Sequence, residues 1–472
     1  MPPVSAPRDI ESLSRDELLE LVTQLVAQNE QLRELIARQQ KQIDELTRAG
    51  KRQAAPFSKG THKQDRKRPG RKPGQGPFTH REAPTPDEIT EPDVDAPVTD
   101  EACPKCGGEL ESERSDFAYQ TEMPEIPKPV VTRYRIEVCR CLSCGARVRG
   151  RHPEVAEDQY GATAHRVGKR VMATAHWLHY GVGVPMRKVP AILEGISGVR
   201  LTQSAIQQDA HRRTEGEVGV HYRALRAGVK DSERVNTDDS GWRVGGESAQ
   251  IMVFETDEAT VYQIRDQHRN EEVREVIPGD YAGVMGTDRG RSYDAKAFDG
   301  VKQQKCIGHI QRSITEVLKT KRGGACVFGQ RLKRVLKEAV ELRRAWVEGR
   351  ATNFEAQAER LKAETTHHLR DRSLKDPDNQ RLLDELGRHH DRGNLLRFLD
   401  DPSIDATNNA AERALRPAVI ARKVSHCSKN ERGARAYEAF KSVTQTFKKR
   451  GESVIEGLVS LFRSAEVQDV PP

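Results

Sequence analysis

The sequence predicts a multidomain α+β protein. It has an N-terminal coiled-coil helix, a small four-cysteine zinc module, and an α/β core with a helical insertion. Three observations predict this. Large aliphatic residues recur at heptad spacing across residues 18–46. Two Cys-x-x-Cys pairs, Cys103/Cys106 and Cys141/Cys144, lie within residues 101–150. From residue 234 onward, β-branched and aromatic runs alternate with helical periodicity.

Length and charge set the frame. A chain of 472 residues holds about three domains. With 32% charged and 5% aromatic residues, the cores are modest and much of the chain is polar surface. The net charge of +7 is unevenly placed. Residues 51–72 carry nine Lys/Arg and one acid, residues 82–101 eight acids and no base, and residues 413–450 eleven Lys/Arg and two acids. Basic blocks of this kind favour polyanions, nucleic acid first. No apolar run approaches about 18 residues, and no basic segment followed by an apolar one opens the chain, so neither a membrane span nor a secretory signal is expected.

The first element spans residues 1–47. Ser14 and Glu17 have capping-box spacing. Val22, Asn29, Ile36 and Ile43 then fall at a positions, and Leu18, Leu25, Leu32, Gln39 and Leu46 at d. β-Branched a residues with Leu at d favour a parallel two-stranded coil, and a lone Asn at a fixes register. A homodimer through this helix is expected; the competing reading is one amphipathic helix packed on its own chain. Residues 48–100 are rich in Pro, Gly and charge, and read as a disordered linker. Within it, Arg66, Lys67, Arg68, Arg71 and Lys72 suit either a flexible arm along DNA or a solvated linker.

Residues 101–150 carry the metal signal. Cys103, Cys106, Cys141 and Cys144 are the thiolates that two tight knuckles place around one tetrahedral Zn²⁺. Four thiolates leave no open position, so the site is structural. Cys139 is a fifth thiol that could compete. The alternation of Tyr134, Ile136 and Val138 predicts a strand leading into the second knuckle.

Residues 151–230 read as helical. The stretches 186–195 and 201–213, with Thr202 as N-cap, fit a helix-turn-helix that enters DNA or two ordinary packed helices.

The core, 231–428, begins with a short strand at 235–240, after which Ser240-Gly241 is expected to turn the chain. Strands follow at 251–256 and 260–265, a helix at 270–277, a strand at 282–288 ending on Asp288, and a short strand from 302. That order is the order of a ribonuclease-H-like nuclease domain, in which a three-strand antiparallel meander meets a parallel strand. One carboxylate lies on the first strand and a second at the end of the fourth. Periodicity at 331–346 and 354–369 predicts charged amphipathic helices, an insertion over about 315–400. A basic helical region, 429–472, closes the chain.

The sequence resembles the bacterial Insertion Sequence sixty-six family of transposases, nearly end to end. The resemblance rests on the zipper, GRKPGQ at 70–75, the cysteine knuckles, DDSGWRV at 238–244, GVMGTDRG at 283–290, CIGH at 306–309, NNAAERALRPAVIARK at 408–423 and GARAYEAFKS at 433–442. It implies a DDE-type strand-transfer domain and supplies a third carboxylate, Glu412. Asn408 or Asn409 would cap its helix, with Ala410 to Leu415 helix-forming before Pro417. Asp238, Asp288 and Glu412 would then hold two Mg²⁺ (or Mn²⁺) ions. The family pattern Asp-Glu-Thr-Gly-Trp aligns its leading Asp with Asp238. Strand alternation then turns Asp239 to the other side.

The sequence departs from the family where Arg289-Gly290 stands for Gly-Tyr, and Cys306-Ile307-Gly308-His309 for Cys-Trp-Ala-His. His309 fits either a phosphate- or carboxylate-orienting role or an ordinary helix-start histidine. Arg413, Arg416, Arg422 and Lys423 follow Glu412 closely and suit phosphate contact. The resemblance implies transposon-end and target DNA as partners, accessory element-encoded proteins beside them, and a bacterial cytoplasmic, nucleoid-associated location. The competing reading is a non-catalytic DNA-binding protein, a degenerate transposase or a regulator.

Overall fold

The computed structural model describes residues 13–50, 83–90, 93–112, 114–121, 128–152, 155, 167–370 and 372–467. The chain divides into two compact units, residues 1–120 and 121–472.

In the first unit, α1 (Arg15–Gly50) is a 36-residue helix. Its capping box closes as expected: the Ser14 N–H donates to Glu17 Oε2 at 2.8 Å, and the Glu17 N–H to Ser14 Oγ at 3.4 Å. Val22, Leu25, Leu32 and Ile36, all on the a/d seam, remain exposed. The basic arm with Arg66, Lys67, Arg68, Arg71 and Lys72 lies outside the described residues. Around Cys103 and Cys106 the chain makes a tight turn. The Gly107 N–H donates to the Cys103 carbonyl at 2.8 Å, and Gly107 has φ +73°.

The second unit opens on a hairpin of β1 (Val138–Arg140) and β2 (Arg147–Arg149), antiparallel, with Cys141 to Cys144 at its tip. The strand begins at Val138, where the 134–138 alternation ends, and Cys139 lies in it opposite Val148. Four helices follow, α2 (Lys169–His176), α3 (Val189–Ser197), α4 (Gln203–Glu215) and α5 (Glu217–Gly228). Thr202 caps α4 as predicted, its Oγ1 accepting the Ala205 N–H at 3.2 Å. The inner face of α4 is buried. Asp209 bonds His176 Nε2 at 2.8 Å and Arg213 Nε at 2.7 Å, and the Arg213 guanidinium lies 3.5 Å from the Phe462 ring centre.

A five-stranded sheet forms the centre. β3 (Arg234–Val244), β4 (Glu247–Glu255) and β5 (Thr260–Arg265) make an antiparallel meander. After α6 (Asn270–Arg274), β6 (Val284–Thr287) pairs parallel to β3, and β7 (Lys302–Lys305) parallel to β6. The spatial order is β5-β4-β3-β6-β7. Ser240-Gly241 is not the turn expected from its composition. β3 runs through it, and the hairpin turns at Gly245-Gly246, with φ +61° and +95°. Positive φ at both central positions matches the twist of the flanking strands, and two glycines meet that need better than Ser-Gly.

The insertion has its own core. α7 (Ile307–Lys319), α8 (Val327–Val347), α9 (Phe354–Leu369) and α10 (Pro377–Asp391) bury Ile310, Leu332, Leu361 and Leu386 together. α8 and α9 lie where periodicity placed them; α10 adds a helix that the sequence reading did not single out. The chain then returns through α11 (Asn409–Ser425), α12 (Glu431–Lys449) and α13 (Val454–Val467). α11 continues past Pro417 rather than ending before it.

α12 covers the edge strand β5. The outward N–H groups of Thr260, Tyr262 and Ile264 donate to Thr446 Oγ1, Ser442 Oγ and Glu438 Oε1, at 3.1, 2.8 and 2.5 Å. Acceptors at every fourth helix position meet donors at every second strand position, because about 6 Å separates both sets. An edge that would template another strand is thereby satisfied. Several cations of the C-terminal basic block are engaged internally. Lys441 is buried and donates to the Tyr180 carbonyl at 2.7 Å, and Lys449 pairs with Glu255 at 2.7 Å.

Candidate active site

The sheet register brings the two aspartates level. Asn236 of β3 pairs with Gly286 of β6. Two residues further on, in parallel strands, stand Asp238 and Asp288. Adjacent strands lie about 4.8 Å apart, so residues 50 positions apart in sequence become lateral neighbours. Asp288 sits just past the end of β6, where its Oδ1 accepts the Gly290 N–H at 2.7 Å. A Cβ on Gly290 would come within 2.9 Å of that oxygen, so this turn needs glycine.

Glu412 arrives on the first turn of α11, and Asn408 fixes that helix to the sheet. Asn408 stands at the N-cap position but its side chain does not cap. Its Nδ2 donates to the Thr237 carbonyl of β3 at 2.7 Å, and its Oδ1 accepts Asn236 Nδ2 at 3.0 Å. Its own N–H donates to Cys306 Sγ at 3.2 Å. Gly286 leaves room for this tie, since a Cβ there would lie 2.3 Å from Asn236 Nδ2. The sequence marked Asn408 as a helix start; its role as a bridge between β3 and α11 could be seen only once both were in place.

The electrostatics follow from this convergence. Burial pushes the Asp238 carboxyl up, the Asp239 N–H pulls it partly back, and the charges of Asp288, Asp239 and Glu412 raise it again, to about 7. Asp239 has its own partner: its Oδ1 lies 2.9 Å from His268 Nδ1. A half-buried group of carboxylates in which neighbouring charges help to raise Asp238 is a donor set suited to a hard divalent cation, which supplies the missing positive charge.

Other residues complete the surroundings. Arg289, where the family pattern has Gly, donates to Glu385 of α10 at 2.7 Å and to Ser313 of α7, tying the end of β6 to the insertion. His309 lies in the first turn of α7, its Nδ1 3.7 Å from Glu412 Oε1. Arg413, Arg416 and Lys423 are exposed on α11. Arg422 is not free in the same way, because it donates to Ser240 Oγ at 3.1 Å and to the Gly241 carbonyl. A further cavity of about 460 Å³ on the sheet has Asn236, Glu255, Arg413 and Lys448 in its wall.

The cysteine knuckles share one backbone design. Gly145 repeats Gly107, with φ +72° and its N–H donating to the Cys141 carbonyl at 2.9 Å. Backbone N–H groups of Lys105 and Cys106 hold the Cys103 thiol below its ordinary range, and those of Cys144 and Ser143 do the same for Cys141. Lowered thiols on tight turns suit a thiolate-binding cation.

A family model described as Transposase IS66 family matches residues 165–436. The chain belongs to that family. The matched span holds the whole sheet, the insertion and α11, and with them Asp238, Asp288 and Glu412. Membership of this transposase family supports a transposase role and a DNA-modifying enzyme. α1 and both Cys-x-x-Cys turns precede the matched span. No match was found among curated proteins. No helix among the described residues is long and apolar enough to cross a membrane.

Proposed function

We propose that the protein is a DDE transposase of a bacterial insertion sequence, which binds transposon ends and carries out metal-dependent strand cleavage and strand transfer on a ribonuclease-H-like core. What supports the reading is that Asp238 and Asp288 stand level on the neighbouring strands β3 and β6, and that the Asp238 carboxyl is raised first by burial and then by the charges of Asp288, Asp239 and Glu412. The meander-plus-parallel strand order supports it further.

Asp238, Asp288 and Glu412 would hold Mg²⁺ or Mn²⁺. When bound, a pair of such ions activates an attacking oxygen and stabilises a leaving 3′ oxygen in an in-line displacement. The residues themselves do the positioning. Asn408 holds Glu412 against β3, and the Gly290 N–H holds the Asp288 carboxylate. Exposed Arg413, Arg416 and Lys423 would receive phosphates, and the basic arm at 66–72 would add non-specific affinity that falls with salt. Cys103, Cys106, Cys141 and Cys144 would hold one structural Zn²⁺, and α1 would pair two chains.

The test uses purified full chain, Mg²⁺ and DNA carrying the terminal inverted repeats that flank the gene. Cleavage and joining are expected from the wild type and lost in Asp288→Asn by about a hundredfold or more. Equal activity in Asp288→Asn would remove the catalytic assignment. Salt-dependent specific binding without cleavage under any metal would favour the non-catalytic reading.

A further inference from the structure

Beside Glu412 lie two further donors, Cys306 and His309, that the carboxylate chemistry does not use. Cys306, His309 and Glu412 each bring one ligand atom to a common region, all within 4.8 Å of one another. Cys306 is the N-cap residue of α7 and His309 follows three positions later, so the first helical turn sets both on one side. The Cys306 side chain is buried, and its Sγ accepts the Asn408 N–H. His309 Nδ1 is buried and meets no hydrogen-bond partner.

A cation already stands between two of these donors. Arg312 Nη2 lies 3.1 Å from His309 Nε2 and 3.5 Å from Glu412 Oε1. A guanidinium can only donate, so with Arg312 in place His309 Nε2 accepts and the ring proton sits on Nδ1, from which a bound cation would displace it. The Arg312 side chain is 64% exposed, and its Nε donates to the Gly308 carbonyl at 3.4 Å.

We propose that Cys306, His309 and Glu412 form a binding site for a borderline divalent cation of the Zn²⁺ class, with Arg312 as its internal substitute when no cation is bound. One sulfur, one imidazole and one carboxylate make a three-ligand set that leaves a fourth position open. The sulfur discriminates against Mg²⁺, which takes oxygen ligands. This site shares Glu412 with the proposed catalytic set and, resting on that reading, makes Zn²⁺ a competitor for the third carboxylate.

The test is a Co²⁺ titration of the metal-stripped full chain without DNA, followed by the cobalt–thiolate absorption band. The difference between wild type and Cys306→Ser reads this site whatever the other cysteines hold. The wild type should show one extra equivalent, and Cys306→Ser should lose it or bind it about ten- to a hundredfold more weakly. Arg312→Gln, at an exposed position, should bind about tenfold more tightly, a gain that a damaged fold does not give. Identical titrations of the wild type, Cys306→Ser and Arg312→Gln would overturn the proposal. Asp288→Asn should keep the band while losing strand transfer, so the two readings fail separately.

Discussion

Asp238 and Asp239 are adjacent in sequence and differ in surroundings. Asp238 is charge-coupled to Asp288 and Glu412, while Asp239 is paired with His268. This gives the two aspartates separable phenotypes. Asp238→Asn should reduce DNA joining about a hundredfold or more without much loss of stability, since it relieves repulsion. Asp239→Asn keeps an acceptor for His268 and should join DNA at close to the wild-type rate. A gel assay of both variants decides the matter; the opposite ranking would make Asp239 the ligand. The same scale explains why part of the site was legible beforehand. Asp238 stands in β3 and Asp288 just past the end of β6, and the order of those strands can be read from composition. Asn408 and His268 could not be assigned partners, because Thr237 and Asp239 come near them only through tertiary contacts.

At the scale of elements, α12 determines how the sheet ends. Glu438 accepts the Ile264 N–H and the Arg265 guanidinium at 2.5 and 2.8 Å. Burial nevertheless pushes its carboxyl up to about 7, the two donors pulling back only in part. A carboxyl raised in the folded state stabilises most below its unfolded value of 4.5, and that contribution is lost as pH rises through 7. The wild type should therefore lose stability between about pH 4.5 and 7 relative to Glu438→Gln, which does not titrate. Urea midpoints of both proteins at pH 5 and pH 8 measure the difference; parallel midpoints would show that Glu438 is ionised throughout. The knuckles make a second prediction at this scale. Elemental analysis of Cys103→Ser should find about one tightly held zinc fewer per chain than in the wild type. An unchanged content would defeat the four-cysteine site.

At the scale of the whole molecule, α1 carries an apolar seam on which Val22, Leu25, Leu32 and Ile36 are exposed. Two copies that buried Leu25 and Leu32 against each other would each gain about 1.5–3 kcal/mol per leucine. Sedimentation should find a dimer, and Leu25→Asp with Leu32→Asp a monomer with its core intact by circular dichroism. A wild-type monomer at micromolar concentration would remove the zipper.

The sequence by itself determined the elements whose cause is local. Heptad spacing gives α1, Thr202 gives the start of α4, β-branched runs give the meander, and periodicity gives α8 and α9. Short-range signals suffice there, because each depends on neighbours within one helical turn or one strand. The family blocks named the three carboxylates in the same way. Only the tertiary structure decided that Ser240-Gly241 stays in a strand, that α11 runs through Pro417, and that Lys441 points into the core. Each depends on a distant partner: Arg422 holds Gly241, the sheet supports α11, and the Tyr180 carbonyl receives Lys441. A buried polar group takes whatever partner the fold brings to it, and its own sequence neighbours do not identify that partner.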